Sequence, residues 1–149
     1  MQAWRKKGPL GKLHNINIWI NRTEQRLQTF LKYSKNRQIP RDNKTRWSSW
    51  QRQINKAINE EIMEAIDLYL DAYGDSDVAS DRLDEDEWKS LGKINDMLSV
   101  LKEATKSLEG SVVSLTKGLS AMVFILTKFE DGRAQYENDT VMAPLYQAG

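Results

Sequence analysis

The strongest constraint on the fold is an apolar stripe that runs from Trp47 to Tyr73. Its members follow one another in steps of three or four residues, close to the ~3.6 residues of one α-helical turn. They are Trp47, Trp50, Ile54, Ile58, Ile62, Ala65, Tyr69 and Tyr73. Gly74 follows directly and can end a helix. We therefore predict one continuous amphipathic helix over residues 47–73, roughly 40 Å long at ~1.5 Å per residue.

Two shorter helices are predicted before this stripe. The first covers residues 12–21, where Leu13, Ile16 and Ile20 share one helical face. The alternation of Ile16, Ile18 and Ile20 also fits a strand, so periodicity alone leaves both structures open.

The second short helix is predicted from Glu24 to about Lys35. Thr23 precedes it and is suited to be its N-cap. Its apolar face consists of Leu27, Phe30 and Leu31.

A capping box marks the start of a later long helix. In Asp84-Glu85-Asp86-Glu87, Asp84 can accept from the backbone N–H three residues on, and Glu87 can reach back to the N–H of Asp84. Leu83 and Trp88 stand at the two positions of a hydrophobic staple. The apolar period that follows predicts a helix ending near Gly110.

A last apolar stripe predicts one more helix, and the pattern fades after Gly132. Its members are Leu115, Leu119, Met122, Leu126 and Phe129. We therefore predict an all-α fold: an elongated helical bundle with two or three long antiparallel helices, preceded by a short basic helical pair. Two regions are expected, a basic segment over residues 1–45 and a helical region over 46–149 that includes an acidic loop at 75–86.

Charge divides this nearly neutral chain into two opposite parts. Residues 1–60 contain fourteen Lys or Arg against three acids, a net of +11, whereas residues 61–149 have a net of −10. Cations interleaved with aromatic rings suit a nucleic-acid surface, since cations neutralise phosphates and rings stack on bases. The alternative is an ion-paired helical protein whose two parts complement each other.

Composition excludes several kinds of site. The chain has no cysteine, and this absence excludes disulfides, thiol nucleophiles and cysteine-ligated metal centres. Its one histidine is His14. No apolar run approaches the ~18–20 residues that cross a bilayer. The carboxylates of residues 75–87 are expected to serve solvation and helix-dipole interactions. We predict no catalytic site, no metal site and no cofactor.

The three tryptophans of the helical stripes have different expected roles. Trp50 and Trp88 lie within stripes and should pack in the core. Trp47 begins its helix directly after Lys44, Thr45 and Arg46, so its ring can lie at the mouth of the bundle instead.

Two blocks of sequence resemble the hAT superfamily of DNA transposases, most closely its fungal members. They are Gly-Pro-Leu-Gly-Lys-Leu-His-Asn at residues 8–15 and Thr-Arg-Trp-Ser-Ser-Trp at residues 45–50. The likeness continues through residues 65–67, 84–88 and 102–110. It implies a nuclear protein of which this chain is a truncated or domesticated piece, at the junction of the ribonuclease-H-like core and its helical insertion.

The resemblance also implies roles for particular residues. The family's catalytic Asp, Asp and Glu positions are absent here, so the chain alone is expected not to be an enzyme. Arg46-Trp47 matches a family pair whose tryptophan supports a base flipped out near the transposon end, and Ser48 stands where relatives are expected to have Asn. The Arg-Trp pair itself is unchanged.

The leading hypothesis is therefore a non-catalytic transposase fragment with a residual DNA-binding surface. The candidate DNA-binding residues are Lys6, Lys7, Lys12, Lys44, Arg46, Trp47 and Arg52. The alternatives are a helical module that binds a protein partner or self-associates, and a remnant without function. No membrane association is expected.

Overall fold

The computed structural model describes residues 8–41, 47–109, 115–140 and 142–147, and in these ranges every regular element is a helix. The α-helices are α1 (Pro9–Ile20), α2 (Glu24–Tyr33), α3 (Trp47–Ala57), α4 (Glu60–Ala72), α5 (Glu85–Leu108), α6 (Leu115–Gln135) and α7 (Met142–Gln147). A 3₁₀ helix covers Asp77–Asp81. The predicted all-α class is confirmed for the described part of the chain.

The chain divides into two compact units, residues 1–92 and 93–149. Helix α5 begins in the first unit and continues into the second. The boundary expected between residues 45 and 46 refers to the core–insertion junction of the resembled family, and it stays a prediction.

Helix α1 has the predicted apolar face. Leu13, Ile16 and Ile20 are buried, whereas Ile18 is 52% exposed, so the strand interpretation is wrong. The helix starts at Pro9, three residues earlier than expected. Proline suits the first helical turn because its φ is already helical and its missing N–H would have no partner there.

Helix α2 starts where its cap predicts. The Thr23 hydroxyl accepts a hydrogen bond from the backbone N–H of Arg26 at 3.3 Å, and Phe30 is fully buried. The helix ends at Tyr33, because Lys35 and Asn36 take positive φ angles of 53° and 62°. Left-handed residues of this kind commonly end a helix.

The prediction of a single long helix over residues 47–73 is wrong, because the helix is interrupted between α3 and α4. Asn59 is extended, with ψ 131°, and its side chain accepts from the N–H of Glu61. Glu60 and Glu61 then place negative charge at the new N-terminus, where the helix dipole favours it. The apolar stripe survives the break, since Ile54 is buried before it and Ile62 after it.

The acidic segment expected to be a loop contains the 3₁₀ helix. Val78 is buried there, and this short helix packs against α1 and α4. Arg82 forms ion pairs with Asp67 and Asp71 of α4. Val78 and Arg82 therefore both hold this segment against the rest of the first unit.

The predicted capping box of α5 is confirmed. The Asp84 carboxylate accepts from the N–H of Glu87 at 2.8 Å, and the Glu87 carboxylate accepts from the N–H of Asp84 at 3.0 Å. Leu83 and Trp88, the staple residues, are both buried. Two orphan N–H groups at the helix start are thus satisfied by local sequence.

In the second unit, α7 packs on α6 through Tyr146. Its ring stacks on Tyr136 with centroids 5.8 Å apart and forms a T-shaped pair with Phe129, whose centroid is 5.4 Å away. Gly132 lies beneath this ring, which occupies the space where a Cβ atom would be. The Asp139 carboxylate accepts from the N–H of Met142 at 3.0 Å and so caps α7.

The apolar stripe of α6 is exposed to solvent, although it was expected to be buried. Leu115, Leu119, Met122 and Leu126 were expected to pack inside a bundle, but they are 81%, 54%, 60% and 57% exposed. The buried side of α6 includes Ala121 and Gly132 instead. At Gly132 this side lies directly against the Tyr146 ring of α7.

Replacing Asp84 with Ala should lower the free energy of unfolding by about 1 kcal/mol, because one partner of the capping box is lost. Asp86→Ala is the matched control, since Asp86 lies in the same first turn with a side chain 96% exposed. Chemical denaturation of both variants measures the difference. Equal effects of the two substitutions would contradict a specific cap.

Gly132→Ala and Gly118→Ala should change stability in opposite directions. A Cβ at Gly132 meets the Tyr146 ring, so this variant should be destabilised and α7 displaced. A Cβ at Gly118 meets nothing within 4 Å, so that variant should gain roughly 0.5–1 kcal/mol from helix propensity. Thermal unfolding followed by circular dichroism compares them. A neutral Gly132→Ala would show that Tyr146 does not pack there.

Candidate nucleic-acid interface

The structure describes three of the seven candidate DNA-binding residues: Lys12, Trp47 and Arg52. The other four, Lys6, Lys7, Lys44 and Arg46, lie outside the described residues. Each of the three has a different environment.

Trp47 is the first residue of α3, and its side chain is 37% exposed. The other two tryptophans of the helical stripes, Trp50 and Trp88, are 7% and 8% exposed, which confirms their predicted place in the core. Trp50 stacks on His14 with the ring planes 2° apart, so the single histidine packs against a core residue. Trp47 therefore presents an aromatic surface at the N-terminus of α3, whereas Trp50 in the same helix is buried.

Arg52 is exposed on α3 but does not share a face with Trp47. Five residues separate them, which corresponds to a rotation of about 140° around the helix at ~3.6 residues per turn. Lys56 follows Arg52 by one turn and is also exposed. The helix thus offers a ring at its N-terminus and a pair of cations along another side.

Lys12 is engaged inside the first unit. Its ammonium group lies 2.6 Å from one carboxylate oxygen of Glu87 and donates to the other at 2.8 Å. The side chains are only 27% and 20% exposed, so the pair is partly shielded from water. It connects α1 to the capping box of α5, which gives Lys12 a structural role that competes with a phosphate contact.

Other cations of the basic part are engaged as well. The Arg26 guanidinium lies 3.5 Å above the ring of Trp19, a cation–π contact between α2 and α1. Arg37 and Lys35 both pair with Glu61 of α4. The two pairs with Glu61 join residues before position 60 to a residue after it.

Folding largely cancels the charge division seen in the sequence. The first unit, residues 1–92, contains sixteen Lys or Arg and fourteen Asp or Glu, a net of +2. The second unit has a net of −1. The boundary between the units lies well after the change of charge at residue 60, so the basic segment folds with the most acidic part of the chain.

The carboxylates at the start of α5, residues 84–87, have structural partners. Glu87 belongs to the capping box and pairs with Lys12, while Glu85 pairs with Lys89 at 2.8 Å. The hydrogen bond and charge of Lys89 lower the pKa of Glu85 below its ordinary value. Within the described ranges, no three His, Asp or Glu side chains are grouped so that they could hold a metal ion.

Asp67 of α4 is affected differently. Burial raises the pKa of its carboxyl, and the neighbouring Asp71 adds to this effect, while Arg82 opposes it. Arg82 therefore compensates two acids that lie close together on one helix. The arrangement serves the packing of α4 and the 3₁₀ segment.

Sequence reasoning missed two features of this surface. Lys56 was not among the candidates, although its four-residue spacing from Arg52 places both on one helical face. The partner of Lys12 was also missed, because 75 residues separate it from Glu87. No local signal could identify a pair so distant in sequence.

Comparisons with known proteins give no assignment: no protein-family model, curated protein or solved structure matches this chain. Among the helices that the structure describes, none is both long enough and apolar enough to span a membrane.

Proposed function

We propose that this chain is a non-catalytic fragment of a hAT-type transposase that binds DNA at the start of α3. The observation that carries the proposal is the exposure of Trp47, at 37%, next to the buried Trp50. A large aromatic side chain at a helix end can stack on an unpaired base. Stacking of this kind contributes about 1–3 kcal/mol per base.

The sequence around Trp47 supports the same proposal. Lys44 and Arg46 precede the ring and supply positive charge for phosphates. The block from Thr45 to Trp50 resembles the family segment in which a tryptophan supports a flipped base. An extruded base costs a few kcal/mol of stacking and pairing energy, and an aromatic ring can recover part of it.

The charge of the folded unit sets the expected strength of binding. Lys12, Arg26 and Arg37 have internal partners, whereas Arg52 and Lys56 are exposed. Lys6, Lys7, Lys44 and Arg46 lie near the two ends of the basic segment in sequence. With Arg52 and Lys56 they can neutralise about four to six phosphates. The affinity for duplex DNA should then fall with a log–log salt slope of roughly −4 to −5.

Further expectations belong to this proposal. The chain alone neither cleaves nor joins DNA, and it is nuclear in its natural setting. Helices α5 and α6 have 24 and 21 residues. Their lengths support the expectation that they are the two long antiparallel helices of the predicted bundle. A helical interaction module is the second candidate, and the exposed stripe of α6 favours it.

Trp47→Ala should weaken binding to gapped or single-stranded DNA by roughly 1–3 kcal/mol, because base stacking is lost. Its salt slope should change little, since no charge is removed. Tyr33→Ala is the matched control, because Tyr33 is 38% exposed and belongs to the same basic part of the chain. Fluorescence anisotropy on duplex and gapped DNA at several salt concentrations measures both quantities.

Cation variants separate charge from stacking in the same assay. Arg52→Gln, Lys56→Gln and Lys44→Gln should each reduce the magnitude of the slope by about one, whereas Lys12→Gln should mainly reduce stability. Trp50→Ala should reduce stability too. If folded Trp47→Ala binds gapped DNA as tightly as the parent chain, the stacking role is refuted.

A further inference from the structure

Helix α6 has an apolar seam with a seven-residue repeat. Leu115, Leu119, Met122, Leu126 and Phe129 follow in steps of 4, 3, 4 and 3 residues. Their mean spacing is that of the a and d positions of a coiled coil, which repeat every ~3.5 residues. Phe129 is covered by Tyr146 of α7, whereas the first four are more than half exposed.

The exposed area of this seam is large for one helix. With the flanking Val123, which is 61% exposed, the five exposed side chains together leave about three whole apolar side chains uncovered. This corresponds to on the order of 500 Å², near the upper limit of the largest apolar patch on a typical monomer. A standard interface buries about 800 Å² per partner, so the seam provides the apolar centre of a small interface.

The charge pattern of the seam restricts what can cover it. Lys117 is the only charged residue between Leu115 and Thr127, and it lies on the side of the helix opposite the seam. The positions flanking the seam are Thr116, Gly118, Val123 and Ile125. A charged partner would find no complementary charge, whereas an identical neutral seam fits without like-charge repulsion.

We propose that two copies of this chain associate through α6, with the two helices antiparallel. In this arrangement Leu115 packs against Leu126 of the second copy, and Leu119 packs against Met122 of the second copy. The four exposed seam residues of each copy are then all covered in one symmetric interface. Antiparallel helices also place opposite dipole ends side by side. This proposal does not depend on DNA binding.

Sedimentation velocity over a range of protein concentrations tests the association. The parent chain should form dimers at micromolar concentration, and the dimer should persist at high salt because its seam is neutral. Met122→Lys should weaken the dimer at least tenfold, since two lysines would face an apolar seam. Met122 is 60% exposed, so this variant should keep the helical circular dichroism of the parent.

Ser120→Lys is the matched control, because it adds the same charge at an exposed position of α6 away from the seam. It should dimerise like the parent chain. A parent chain that stays monomeric at several hundred micromolar would overturn the proposal. Equal weakening by Ser120→Lys and Met122→Lys would overturn it as well.

Cysteine cross-linking tests the orientation, and the chain has no cysteine of its own. Mixing the Leu115→Cys and Leu126→Cys variants under mild oxidation should give a mixed disulfide, since a disulfide needs Cα atoms within about 7 Å. In a parallel pair these positions would lie roughly 16 Å apart along the helix axis. A disulfide between two copies of Leu115→Cys, without the mixed product, would overturn the antiparallel arrangement.

Discussion

A chain of aromatic contacts in the first unit is the interaction on which the rest of that unit depends. Phe30 of α2 meets the fully buried Tyr69 of α4 with ring centroids 5.7 Å apart, and Tyr69 lies 4.8 Å from Tyr73. Tyr73 forms a T-shaped contact with Trp19 on α1, and Arg26 of α2 covers the Trp19 ring. Three helices are therefore joined by one continuous series of rings, which spans the change of charge at residue 60.

This packing decides how the basic segment can function. Helix α2 packs against α4, and α1 packs against α2 and the 3₁₀ helix. The acids that follow residue 60 then lie within reach of the cations before it, as the pairs of Arg37 with Glu61 and of Lys12 with Glu87 show. Lys12, Arg26, Lys35 and Arg37 are then engaged inside the unit, so the described cations before residue 60 do not form one uniform positive surface. In the proposed function, binding of nucleic acid therefore depends on residues that packing leaves exposed, such as Trp47 and Arg52. The candidate interface is therefore limited by which side chains stay exposed after packing, more than by the total charge of the segment.

Local signals predicted the features that depend on local chemistry. The capping box at Asp84 and the N-cap at Thr23 are confirmed, because a cap needs only residues close in sequence. The break before α4 was also locally encoded, in Asn59 and the acids after it, but the continuous apolar period concealed it. The exposure of the α6 stripe was beyond sequence reasoning, since periodicity identifies an apolar face but not what covers it. The DNA-binding role of all seven candidate residues stays a prediction.

The central claim is that residues before and after position 60 fold as one cooperative unit despite their opposite charge. Native-state hydrogen exchange on the whole chain tests this claim most directly, because it reports the opening free energy of each helix. We predict that the most protected amides of α1, α2 and α4 exchange with the same free energy and the same dependence on denaturant. If α1 and α2 open at clearly lower free energy than α4, the aromatic contacts do not hold them together, and the claim is contradicted.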